Sequence, residues 1–239
     1  MIRTAVIMQP TYLPWIGYFD LMDQCDVFVI LDSVQFDKRS WQQRNRIKTP
    51  KGELTLTVPV LSKGRFDQSI REVEIDQTKN FQESHLKAIK YNYAKAKYFN
   101  QYFGGLEGIL FKEHKLLAGL NVDLILWLKD ILNIKSELLR SSNLAVSGKK
   151  AELLVNICRL IGAQRYVSPV GAKVYMEGAD IFKTNGIALC YQNFCHPSYH
   201  QLFGDFIPSL SVIDLLFNEG QKSLDMIRSE RNVVNQPRI

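Results

Sequence analysis

Four groups of residues in this chain have the side chains and spacing to do chemistry. The first is Asp32 with the basic run that follows it. An acid at a strand end can hold a sugar or ribose hydroxyl or act as a base, and Arg44, Arg46 and Lys48 can supply charge-assisted bonds to a phosphate. In Arg44-Asn45-Arg46 the two guanidiniums fall on the same side of an extended chain. Lys38, Arg39 and Lys51 lengthen the run, which contains no acid; a solvated basic face is the plain alternative to a phosphate-binding rim. The second group is Ser141-Ser142-Asn143 with Ser147-Gly148-Lys149. A strand end, a hydroxyl-rich loop and a helix start can turn backbone N–H groups toward an anion, with Ser141, Ser142 and Lys149 as the binding side chains. The glycine spacing of a Walker A loop is absent, and a serine-capped helix with an exposed lysine explains the residues equally well.

The third group runs from Cys195 to Gln201 and holds His196, Tyr199 and His200 among Phe194, Phe203 and Phe206. His196 titrates near neutrality and is the candidate general acid or base. Cys195 and His196 are neighbours in an extended segment, so their side chains point apart and a nucleophilic dyad is not expected. No second His/Cys cluster with ligand spacing accompanies them, so no metal is expected. The fourth is Asp214, a lone carboxylate in Ser211-Val212-Ile213-Asp214-Leu215-Leu216-Phe217. It needs a partner, a histidine or an arginine, or else it is a helix-start acid. His85 and His114 fall in helical sequence and read as structural or surface residues, and Cys158 as core packing.

The elements that must position these groups can be read from hydropathy. Ala5-Val6-Ile7-Met8 and Val27-Phe28-Val29-Ile30-Leu31 are short apolar runs suited to strands buried on both faces. Between them lies a loop stiffened by Pro10 and Pro14, then room for a short helix. In such sheets ligands sit beyond the carboxyl ends of the strands, so Gln9, Tyr12, Trp15 and Asp32 should share one rim. After a polar basic loop, 53–60 alternates as a strand behind the turn Pro50-Lys51-Gly52, and 70–75 alternates again. The middle third, about 79–133, reads as a helical insertion: 79–93, 98–115 in spite of Gly104, Gly105 and Gly108, and a stripe of Leu120, Leu124, Trp127, Leu128 and Ile131. Strands at 137–140, 164–168 and 187–191 then alternate with a helix opened by Ser147–Lys150, whose buried stripe is Leu154, Ile157, Cys158 and Ile161, and with a partly helical 174–185. A short helix follows near 212–217. The expected fold is α/β, a mostly parallel sheet flanked by helices, in one domain over 1–239 with a loose tail from about 233.

Bulk properties narrow the function classes. With 239 residues and 46% hydrophobic content the chain can bury a substantial core. No apolar stretch reaches the roughly 18–20 residues that cross a bilayer, the N-terminus lacks a secretory leader, and the four cysteines, Cys25, Cys158, Cys190 and Cys195, form no disulfide framework. A cytosolic protein is expected. The net charge of +6 suits a phosphorylated substrate, a nucleic acid or an anionic surface. The absence of an aromatic-basic repeat or a recognition helix argues against a stable nucleic-acid complex.

The assembled pattern resembles the WbqC-like family of bacterial proteins. The matching segments run from Gln9-Pro10-Thr11-Tyr12-Leu13-Pro14-Trp15-Ile16-Gly17-Tyr18-Phe19 through Asp26–Asp32, Gln35-Phe36, Arg44-Asn45-Arg46-Ile47-Lys48, Gly52 with 56–60, and the 142–149 loop. The last is His196-Pro197 to Tyr199 with Gln201, Phe206, Pro208, Ser211, Asp214 and Gly220. Two positions depart: Met8, where many members carry histidine, and Pro169, where the pattern tends to glycine. The resemblance implies a role in O-antigen or other surface-polysaccharide (lipopolysaccharide) biosynthesis, and so a nucleotide-activated sugar as substrate. Transfer of an acyl or aminoacyl group from an activated donor to the amine of a nucleotide-linked amino sugar fits this setting. His196 would take the proton, the 141–149 loop would stabilise the oxyanion, and no cofactor would be needed. With Met8 in place of histidine, His196 is the natural base. Two other readings are a nucleotidyl-transferase-like enzyme, whose histidine-rich signature is missing, and a non-catalytic binding or scaffold protein in glycan assembly.

Overall fold

The computed structural model describes residues 2–169, 171 and 180–231. Five strands, β1 (Thr4–Met8), β2 (Val27–Ile30), β5 (Glu137–Arg140), β6 (Arg165–Ser168) and β7 (Ala188–Tyr191), form one parallel sheet in the order β5-β2-β1-β6-β7. The register pairs Ala5 with Val27 and Tyr166, and Val29 with Leu139. The chain steps from β1 outward through β2 to β5, then returns across β1 to lay down β6 and β7. The crevice between β1 and β6 is therefore the point where the winding reverses, the usual ligand position in an open α/β sheet. β1 and β2 are buried on both faces and alternate between two cores. Val6, Phe28 and Ile30 face α1 (Ile16–Asp23), the helical middle third and α7 (Val212–Glu219). Ala5, Ile7, Val27 and Val29 face α5 (Lys150–Leu160) and α6 (Asp180–Thr184).

The fold is α/β, as expected. Three helices, α2 (Phe81–Tyr93), α3 (Phe99–Phe111) and α4 (Leu117–Ile131), occupy the stretch before β5. One glycine of α3 has a packing reason: a Cβ on Gly105 would lie 2.6 Å from the Trp127 indole nitrogen of α4, while Gly104 and Gly108 have open space beside them. α8 (Ser223–Ser229) closes the described chain, with Arg228 and Arg231 paired to Asp23.

Several local expectations give way. The basic stretch is no loop: β3 (Arg44–Thr49) pairs antiparallel with β4 (Gly52–Thr57), burying Asn45 and Ile47 and turning at Gly52 with φ +104°. The charged residues hide the strand period, because the face opposite Asn45 and Ile47 carries the long cations Arg44, Arg46 and Lys48, the last of them buried. Of the expected strand at 70–75, Ile70–Glu72 is a 3-10 turn, and only Glu74 and Ile75 form isolated bridges, to Leu116 and Val60. In the turn the Ser69 N–H and hydroxyl both donate to Glu72 Oε2 (2.8 and 2.6 Å), a local cap that wins over extension. In α5 Ile157 and Cys158 are buried, but Leu154 and Ile161 are only partly so; Ala151, Leu153 and Val155 complete the buried face. Of the expected helical stretch 174–185, positions 174–179 lie outside the described residues, as does the 233–239 tail. Among the described residues no helix is long and apolar enough to cross a membrane, and no group of three or more His, Cys, Asp or Glu side chains could hold a metal ion.

Candidate functional site

Past Met8 the chain makes the prolyl loop that opens the sequence pattern, and side chains from elsewhere clamp it. Asn45 Nδ2 donates to the carbonyls of Tyr12 (3.2 Å) and Leu13 (2.6 Å), Asn121 Nδ2 to Pro10 O (3.3 Å), and the Val212 N–H to Pro14 O (2.8 Å). The clamp holds buried Leu13 at φ +45°, a conformation that a leucine adopts only under constraint. Trp15 then starts α1. Its ring lies over Gly17, where an added Cβ would come within 2.2 Å of it, and meets Phe194 edge-on at 6.0 Å.

Beyond the carboxyl end of β1 this loop and the β3–β4 hairpin enclose a pocket of about 250 Å³, whose walls include Thr11, Trp15, Tyr18, Trp41, Arg46 and Ser209. Of its lining residues, Thr11, Tyr18 and Arg46 each have one enclosed polar atom (Oγ1, Oη and Nε) without a hydrogen-bond partner. Native interiors rarely leave such atoms unpaired, since each one costs on the order of 1–3 kcal/mol. Tyr18 is 1% exposed, and burial pushes its phenol further from ionising. Arg46 is held on its outer side, donating through Nη1 to both Glu53 oxygens (2.9 and 2.7 Å) and through Nη2 to Ser209 O (3.3 Å). Arg44 and Arg46 both approach the Trp41 ring, at 5.9 and 5.2 Å from its centroid, and Trp41 is nearly half exposed.

The other candidates divide into two buried clusters. Asp214, fully buried, accepts from Tyr93 Oη (2.7 Å), Tyr199 Oη (2.8 Å) and Gln201 Nε2 (2.8 Å). Burial raises its pKa against these bonds and the nearby charge of Lys48, which lower it. Its partners are thus two phenols and an amide, where a histidine or an arginine was expected. Lys48 is no surface phosphate ligand: its ammonium is buried, donating to Gln201 Oε1 (3.0 Å) and Asp205 O (2.5 Å). Asp32 is equally enclosed. Its oxygens accept from Arg140 Nε (2.7 Å) and Nη2 (2.6 Å), from the hydroxyls of Ser141 and Ser142, and from the Ser142 N–H (2.9 Å). The hydroxyl loop does bind an anion, and the anion is this carboxylate. Five donors leave Asp32 no lone pair for a substrate proton.

His196 is half-buried. Its Nδ1 lies 2.9 Å from Pro197 O, so the neutral ring carries its proton there and presents Nε2 as an acceptor, which has no partner. Burial lowers its pKa against the opposing Pro197 bond. It packs on Tyr199 and Phe206. Gln9 is exposed and accepts from Gln42 Nε2 (2.9 Å). Tyr12 turns into the core toward His85, Asn45 is spent on the loop, and Lys149 is exposed ahead of α5. The structure therefore brings Trp15, Asn45 and Arg46 together at the pocket with Arg44 beside them, and gathers Lys48, Tyr199, Gln201 and Asp214 into one buried network. It keeps Asp32, Ser141 and Ser142 in a separate clasp. Reasoning from sequence missed Thr11, Tyr18, Trp41 and Ser209. Thr11 and Tyr18 stood inside the opening segment, where hydroxyls among aromatic residues were the available signal.

Comparison with known proteins adds three findings. The chain is 38% identical over 228 residues to the uncharacterized protein Rv1507c of Mycobacterium tuberculosis, an alignment covering 95% of this chain and 98% of the relative. No solved structure matches it at a significant level. The model of the WbqC-like protein family matches residues 9–226, a span holding both the prolyl loop with its pocket and the Asp214 network, and the chain belongs to that family.

Proposed function

We propose that this protein binds a nucleotide-activated amino sugar and transfers an acyl or aminoacyl group from an activated donor to the sugar's amine, in the assembly of a surface polysaccharide. The observation that carries the reading is the pocket outside the carboxyl end of β1, whose wall includes Trp41 with Arg44 and Arg46 over its ring. That position is where open α/β sheets bind nucleotides. Trp41 offers a stacking face and Arg44 a guanidinium with no carboxylate partner among its described contacts, a pairing suited to a base and a phosphate. The chemistry asks little of the protein beyond position and a base. The amine attacks the acyl carbonyl, a C–N bond forms, the bond to the donor's leaving group breaks, and the ammonium proton goes to Nε2 of His196. His196 is assigned this role because its Nε2 has no hydrogen-bond partner, although that atom is enclosed in the free protein and His196 does not line the pocket. Asp32 is given no chemical step.

The test combines binding and turnover. Melting temperature should rise with a nucleotide amino sugar by mass action, and the rise should shrink in Arg44→Ala. His196→Ala should lower turnover about 10²–10⁴-fold, the usual worth of a general base. The acid limb of wild-type kcat/KM should fall below pH 6.5, because burial holds the imidazole below its ordinary value. A flat melting screen, or full turnover in His196→Ala, would remove the transferase reading and leave a scaffold role. Mg²⁺-dependent release of pyrophosphate from a nucleoside triphosphate would replace it with nucleotidyl transfer.

A further inference from the structure

The pocket beyond β1 has mostly hydrocarbon walls, with Met8, Trp15 and Trp41 among its lining residues. The polar groups around it are largely spent or out of reach. Asn45 Nδ2 is bonded to the carbonyls of Tyr12 and Leu13, and the outer nitrogens of Arg46 to Glu53 and Ser209. Thr11 Oγ1, Tyr18 Oη and Arg46 Nε are enclosed in the protein, where no ligand in the pocket touches them. The main-chain carbonyls of Met8, Trp15 and Trp41 accept from the N–H groups of Leu31, Tyr18 and Tyr12 (2.7, 3.1 and 3.0 Å). What polar character remains on the lining side chains is neutral: two indole N–H groups and the Ser209 hydroxyl. Such a cavity does not suit a phosphate or a sugar, whose polar groups would lose water without replacement. Nor does it suit an ammonium. Among the described residues no carboxylate lines it, and Arg44 and Arg46 stand over the Trp41 ring. Its volume, about 250 Å³, lies just under the roughly 300–1,000 Å³ of pockets for drug-sized ligands. That is room for one short hydrocarbon chain.

We propose that this pocket holds the hydrocarbon part of an apolar acyl group, packed between Met8, Trp15 and Trp41, with its carbonyl at the mouth where Trp41 is nearly half exposed. The inference rests on the acyl-transfer reading and narrows its donor: a short apolar acyl group fits, and an aminoacyl group does not. It also separates the two substrates. The acyl chain lies inside the pocket, and the sugar and its phosphates stay outside it. Affinity then comes from burying methylenes against apolar walls, about fourfold for each one.

The experiment is calorimetric titration of the wild-type protein and Met8→Ala. The probes are straight-chain carboxylates from acetate to decanoate, isocaproate against leucine (the same hydrocarbon with an added ammonium), hexanoyl coenzyme A, and a nucleotide amino sugar. Wild-type affinity should rise about fourfold per methylene and level off once the chain outgrows the pocket. The heat capacity of binding should become more negative along that rise. Met8→Ala shortens one wall, so the plateau should move to longer chains; a variant that had only lost structure would weaken every chain alike. Leucine should bind about tenfold more weakly than isocaproate, because its ammonium meets guanidiniums and no carboxylate. Hexanoyl coenzyme A should displace hexanoate. Affinity that ignores chain length, a plateau unmoved in Met8→Ala, or leucine equal to isocaproate overturns the acyl pocket, and the broader reading stands if the nucleotide sugar still binds. If hexanoate binds but the thioester does not displace it, the pocket holds a free carboxylic acid and its part in the donor site falls. If the length series and the plateau shift appear while no nucleotide amino sugar binds, the acyl pocket stands and the nucleotide reading falls. If no probe binds the wild type, both are overturned.

Discussion

At the scale of single residues, burial decides what each titratable group can do. His85 illustrates it outside the site. It is 5% exposed, its Nδ1 is 2.9 Å from Tyr12 Oη, and it hydrogen-bonds the backbone of Thr57. Burial, opposed by the Thr57 bond, lowers its pKa from 6.5 to about 4. The folded state therefore binds this proton more weakly than the unfolded chain. The stability that neutral His85 contributes is complete above pH 6.5 and is lost as pH falls from 6.5 to about 4, a change of about 3 kcal/mol over that window. His85→Gln, which keeps a donor and an acceptor but does not titrate, should flatten the acid loss in urea melts at pH 7 and pH 4.5. Asp20 and Asp214, which burial holds above 3.8, act in the opposite direction, and comparing wild type with His85→Gln cancels them. Equal acid sensitivity in the two proteins would contradict this role. The same principle sorts the cysteines: burial pushes the Cys25 and Cys158 thiols up to about 12, so neither is a thiolate nucleophile near neutral pH.

At the scale of elements, polar clasps tie strand ends together and set the shape of the rim. Asp32, just past β2, gathers Arg140, Ser141 and Ser142 from the end of β5, and the Ser141 hydroxyl in turn accepts from the N–H groups of Asp32 and Ser33 (3.1 and 3.2 Å). Asp32 is enclosed but the Arg140 side chain is 32% exposed, so without the carboxylate the guanidinium can still meet water. Asp32→Ala should therefore lower stability by about 1–3 kcal/mol, the cost of leaving buried donors unpaired, in a denaturant titration. Its nucleotide-sugar affinity, measured well below the melting temperature, should stay within about twofold of wild type. A collapse of binding or turnover with stability unchanged would return Asp32 to the active machinery. Part of this level was legible in the chain: the loop at 141–149 read equally as an anion site or a capped helix start, and Asp214 visibly needed a partner. Which anion and which partner were not legible, because Tyr93 stands 121 positions from Asp214, and Arg140 stands 108 from Asp32. The β3 strand was hidden because its outward residues are cations that mimic loop composition, and its pairing is visible only against β4.

At the scale of the whole molecule, β1 and β2 contribute alternate side chains to both cores. Two faces sharing the same strands should lose their order together. All three tryptophans sit on the side of the first core or its pocket, Trp15 and Trp127 packing against that core and Trp41 lining the pocket. Ile157→Ala opens a cavity in the second core, worth about 2–5 kcal/mol. It should move the tryptophan fluorescence transition and the far-ultraviolet circular dichroism transition by the same amount in urea. A fluorescence midpoint that stays in place while the dichroism shifts would show two separately stable units. The sequence by itself determined the α/β class and the parallel strands. These follow from local periodicity and from proline and glycine punctuation, which a chain carries residue by residue. Only the tertiary structure decided which polar groups are spent and which are left open. It enclosed Asp32, Lys48 and Asp214 within their own partners and left a polar atom of Thr11, Tyr18 and Arg46, residues that line the pocket, without one. Whether a polar atom is satisfied depends on donors and acceptors distant in sequence and on exclusion of water, and neither exists until the chain has closed around them.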